Sequence, residues 1–165
     1  MHAYTTNGWE SLFIAEVGVA AVLAGLLVVA VSINLAKILQ HPGLPGRAAE
    51  AIGLLTGVLV VCTLGLVPGQ PRGMLGVELL GVGLLAWAVQ AAIHQGALRR
   101  RVGPSLTVLL GRIALAQAAV LPLPIAGACL LVDAGGGLYW LVPGIVLSLV
   151  IAILDAWVLL IEILR

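Results

Sequence analysis

The side chains of this sequence that are able to do chemistry are few, and most of them lie inside long apolar runs. Asp155 follows 17 uncharged residues, Leu138 to Leu154, and Arg112 interrupts another such run. A carboxylate or guanidinium at hydrocarbon depth is costly unless it is paired, faces protein or meets water, so each of the two demands a partner. Counted from the basic ends of their helices, both lie roughly 12 to 15 Å deep at ~1.5 Å per residue, which lets them meet within one leaflet. The spacing therefore predicts an Arg112–Asp155 ion pair, structural before functional, with Gln117 or Asn34 completing its hydrogen bonds. Glu162, two turns after Asp155, is close enough to the surface to be solvated.

A second set of polar residues has the spacing of a path. His94 and Gln90 stand one helical turn apart, and His titrates near neutrality, so a proton relay is one reading; an interfacial His bonded to a neighbour is the plainer one. Glu16 and Asn34 are 18 residues apart, five whole turns, and share a helix face that would line a polar seam if the bundle or an oligomer leaves one. Glu78, near the start of its own helix, joins them as a candidate for that path. Cys62 and Cys129 sit in apolar runs without metal-type spacing and read as small buried hydrophobes. With no nucleophile near a base, no metal-ligand spacing and no phosphate loop, the expectation is a protein that is not an enzyme and takes no cofactor or metal.

The elements that carry these residues follow from composition. Of 165 residues, 62% are hydrophobic and 9% charged, with a mean hydropathy of +1.20, whereas about a quarter of a soluble protein is charged. The chain reads as an all-α integral membrane protein, a single transmembrane domain of five helices spanning about 9–40, 47–67, 74–98, 105–132 and 138–164. Short turns between such spans leave no room for a soluble catalytic or nucleic-acid-binding module. HPGLPG, from His41 to Gly46, stops one helix and starts the next, and Pro122 with Pro124 should bend the fourth. Trp9, Tyr139 and Trp140 mark interfaces. The amino-terminal MHAYTTNGWE lacks the basic stretch of a secretory signal, so the first helix is expected to remain as a span.

Lys37, Arg47, Arg99, Arg100, Arg101 and Arg165 fall on one side of these spans and only Arg72 on the other. Basic residues in short flanks are retained in the cytoplasm, so the amino terminus should lie outside and the carboxyl terminus inside. The acids Glu10, Glu16, Glu78 and Asp133 then fall toward the outer side. Gly53 and Gly57 form a GxxxG that lets backbones approach closely; packing within the bundle is the first reading and oligomerisation the second. The small residues Gly18 and Gly25 on helix 1, and Gly76, Gly81 and Gly83 on helix 3, belong to the same class. The formal charge of +1 points to no electrostatic partner.

GLLVVAVSINLAKIL, HPGLPGRAAE, LVPGQPRGMLGVELL, GGGLYWLVPG and LDAWVLLIEILR together resemble a family of small actinobacterial membrane proteins that carry the label "modulator of FtsH protease". The resemblance covers nearly the whole chain, and its most specific piece is AWVLLIEILR. It implies a bacterial cytoplasmic membrane protein and brings no catalytic residue with it. Two functions remain open: a non-enzymatic regulator or assembly partner of other membrane proteins, or a homo-oligomeric ion or proton channel lined by Glu16, Asn34, His94, Arg112 and Asp155. The expected partners are the lipid bilayer and either a second copy or another membrane protein.

Overall fold

The computed structural model describes residues 2–99 and 105–161, so Arg100, Arg101, Glu162 and Arg165 lie outside the described residues. The described residues are helical throughout, with no strand: α1 (Glu10–Gln40), α2 (Leu44–Gly65), α3 (Arg72–Arg99), α4 (Leu106–Val120), α5 (Pro122–Val132) and α6 (Leu141–Leu160), plus 3-10 turns at His2–Tyr4 and Gly137–Trp140. Five stretches, 10–40, 44–65, 72–99, 106–132 and 137–160, are long and apolar enough to cross a membrane.

Two helix boundaries differ from the sequence expectation for backbone reasons. α2 begins at Leu44 and not near residue 47, because Gly43 takes φ 101° at the N-cap and Pro45 sits in the first turn, where an amide donor has no helical partner anyway. The fourth span divides at Leu121: Pro122 and Pro124 withdraw two donors, and the Leu121 amide closes α4 on Gln117 O at 2.9 Å while α5 starts at once. In the fifth span a 3-10 turn occupies 137–140 before α6 begins.

α2 is the central post. It packs against α1, α3 and α6, and α6 also reaches α1 and α4. The core it organises includes Phe13, Leu27, Leu55, Leu79, Leu130 and Leu141, all at most 1% exposed. α3 and α5 meet most closely because glycines stand at their crossing. A Cβ on Gly83 would come within 2.5 Å of the Pro124 nitrogen, and one on Gly127 would strike the Leu80 backbone. Gly76 faces Gly127 O from the same contact. These are the glycines that close the bundle, as expected where lipid offers no hydrophobic drive for helix association.

Gly53 and Gly57 do not have that role. A Cβ built on either meets nothing within 4 Å, so the expectation that this GxxxG packs inside the bundle is corrected: both face an open groove. The motif reports closeness of approach but not direction, and here its face lines an open space beside α3.

The two ends of the bundle differ. At one end Trp9 stacks edge-on to Tyr139 with ring centroids 5.1 Å apart, the Gly136 amide donates to Tyr4 Oη at 3.2 Å, and Arg72 pairs with Asp133 at 2.6 Å. That pair is about half exposed on both sides and adds little to stability. The opposite end carries Lys37, Arg47 and Arg99, and it holds the charged site.

Candidate functional site

Four helices each bring polar side chains to one level. Measured from its own helix end at ~1.5 Å per residue, Glu50 lies ~9 Å in on α2, His94 ~8 Å in on α3, Arg112 ~9 Å in on α4 and Asp155 ~8 Å in on α6. Arg112 Nη2 donates to Glu50 Oε2 at 2.9 Å and to Asp155 Oδ1 at 3.3 Å. Arg47 Nη1 stands 3.7 Å from the same Asp155 oxygen. His94 Nε2 lies 3.3 Å from Glu50 Oε1, and Gln90 Nε2 donates to the Glu50 backbone carbonyl at 3.4 Å. Gln117 Nε2 reaches His94 Nδ1 at 3.5 Å.

The hub of this arrangement is Glu50, which sequence reasoning passed over. It is 3% exposed and meets α3 and α4 through side chains while its own helix supplies Arg47. Asp155 and Arg112 are brought together as the spacing predicts, but as two corners of a larger group and not as an isolated pair. Their expected helpers do not complete the pair. Asn34 turns its amide to Leu159 O at 3.2 Å and to Ala30 O at 3.3 Å, which ties α1 to α6 beside the charges. Gln117 goes to His94. Arg47 and Glu50 take their place, because charged partners at the same depth outcompete neutral amides for buried charges.

His94 bridges Glu50 and Gln117, one ring nitrogen toward each, and the two arginines balance the two acids. Such a group holds its helices in register, and loss of any one member leaves a charge without compensation in a poorly polarisable surrounding. Within this group three buried oxygens have no partner among the described residues: Asp155 Oδ2, Gln90 Oε1 and Gln117 Oε1. All three are acceptors.

A cavity of about 480 Å³ opens onto this group from the basic end. Arg47, Glu50, His94 and Arg112 form its floor, and the Pro42–Gly46 turn forms one wall. Arg47 and Arg112 are 25% and 31% exposed there, while the acids behind them are 4% and 6% exposed. The guanidinium groups are thus what the opening presents. Toward the other end the interior turns apolar, with Leu54, Leu55, Val58, Val120 and Ile151 buried.

Compared with protein-family models, with curated proteins and with solved structures, the chain matches none.

The remaining path candidates are not brought to this site. Glu16 is half-buried near the far end of α1 with Oε2 unpartnered. Glu78 accepts from Gln70 and lies ~24 Å along α3 from His94 at ~1.5 Å per residue. Among the described residues no group of three His, Cys, Asp or Glu side chains is placed to hold a metal.

Proposed function

We propose that this chain is a non-enzymatic regulator or assembly partner of other proteins in the bacterial cytoplasmic membrane, with its amino terminus outside and its carboxyl terminus in the cytoplasm. The observation that carries this reading is the outward face of α1. Only 17% of the most apolar window of that 31-residue helix is buried. Gly18, Gly25 and Ser32 follow one another at intervals of seven on its exposed side, and a Cβ on either glycine would meet nothing within 4 Å. Intervals of seven hold one stripe along a helix paired with another, and small residues on such a stripe let the second backbone come close. Lipid has no use for that relief; a transmembrane helix does. The resemblance to proteins labelled modulators of FtsH protease makes a membrane-bound protease one partner of this kind.

The channel reading has less support. Asn34, His94 and Asp155 are 8%, 7% and 4% exposed, so they are covered within one protomer and poorly placed to line a seam between several.

The test replaces both small residues, Gly18→Leu with Gly25→Leu, and compares the mass of the complex extracted from membranes in mild detergent. The expected result is a smaller complex with an unchanged melting temperature, because these positions touch nothing in the protomer. Complexes of equal mass before and after would sink the reading. Orientation rests on the six-to-one distribution of basic residues. Single cysteines at 70 and 102 should react with impermeant reagents from outside and inside respectively; the reverse labelling would invert the assignment.

A further inference from the structure

A groove about 300 Å³ in volume opens between α2 and α3, lined by Gly53 and Gly57 on one side, by Val82, Ala86 and Val89 on the other, and by the buried Val120, Leu123 and Ser148. Its margins Val60, Leu85 and Val89 are 38%, 51% and 48% exposed, so it opens sideways to the bilayer. On α2 it extends from Ala49 to Val60, ~16 Å at ~1.5 Å per residue. An extended acyl chain lies along a groove of this length and apolar lining. The groove adjoins the cavity at the basic end, since Ile93 lines both and Gln90 and His94 stand one turn apart at the joint.

We propose that the two spaces form one binding site for an anionic phospholipid, the phosphate in the basic-end cavity and one acyl chain in the α2–α3 groove. Three features recognise the phosphate. Arg47 and Arg112 face the cavity as its exposed charges, and both contacts of Arg112 run through Nη2 alone, which leaves its other donors for a ligand. The amino-terminal turn of α2, Gly43 to Gly46, lines the same cavity and directs its helix dipole there. Anionic lipid is the phosphate source this site fits, because a basic pocket between transmembrane helices that continues into an apolar groove matches an amphiphile end to end. Gln90 adds a further match: it is 3% exposed, it lines the groove, and its Oε1 lacks a donor. A hydroxyl of the glycerol region would supply one.

The test uses the full chain, purified and stripped of lipid in detergent, with retained lipid counted by native mass spectrometry and stability followed by thermal melting. Phosphatidylglycerol should be retained and should raise the melting temperature. Phosphatidylcholine with the same chains, and inorganic phosphate alone, should do so much less. The Cβ of Gly57→Leu meets nothing within 4 Å and the rest of its side chain occupies the groove, so it should abolish retention while leaving the lipid-free melting temperature unchanged. Arg47→Gln should lower phosphatidylglycerol retention about fivefold and leave phosphatidylcholine as before. Equal stabilisation by phosphate alone would show a free-anion site and overturn the lipid assignment. Retention that survives Gly57→Leu, or a change in oligomeric mass in that variant with lipid retention intact, would give the groove to another occupant and overturn it as well.

Discussion

Arg112→Leu should destabilise the bundle by about 3 to 5 kcal/mol, the cost of leaving a buried charge without its partner. Among the described residues the guanidinium is the one group that touches both acids, 2.9 Å from Glu50 and 3.3 Å from Asp155. Without it, Asp155 keeps only Arg47 at 3.7 Å, and Glu50 keeps only His94. Asp155→Leu should cost less, because it leaves Arg112 on Glu50. The pair Arg112→Leu with Glu50→Gln should regain a large part of the loss, since it removes one cation and one anion and keeps the shape of the glutamate. Melting temperatures in one detergent, read by circular dichroism, check all three. An Arg112→Leu protein that melts with the original, or a double variant whose loss is the sum of the two single ones, would show that these charges do not compensate each other.

Gly127→Ala tests the other support of the fold. The added methyl would meet the Leu80 backbone nitrogen and lie 2.7 Å from Gly76 O, atoms that cannot rotate away as a side-chain tip can. α3 and α5 must then separate, at the cost of about 1 to 3 kcal/mol typical of overpacking, and a Leu at the same position should prevent assembly. Gly53→Leu is the matched control. It adds more volume to a helix of the same bundle, yet meets open space, so it should melt with the original. If Gly127→Ala also melts with the original, α3 and α5 do not approach this closely.

The sequence makes some of this readable and hides the rest for identifiable reasons. Apolar runs longer than a bilayer is thick announce the spans, since an unpaired backbone in hydrocarbon leaves few alternatives to a helix. Arg112 and Asp155 could be matched by depth because each interrupts such a run. Glu50 was missed because a helix thought to start at residue 47 puts it in the first turn, at the water's edge. The actual start at Leu44 carries it a further turn inward, among Arg47, His94 and Arg112. Its signal was there as Arg47 and Glu50 three apart on one face, a spacing that commonly marks paired charges. Gly53 and Gly57 failed in the opposite way, since a spacing fixes which residues share a face and says nothing of what that face meets.

The balance of the buried group bears on membrane voltage. A potential of about 100 mV does ~2.3 kcal/mol of work on each elementary charge carried across it. Arg47, Arg112, Glu50 and Asp155 sum to zero, so the field gains nothing by displacing them as a unit. The group lies at the basic end of the bundle, with the apolar remainder of the interior beyond it. A change of voltage should therefore leave in place the helices that this group ties together.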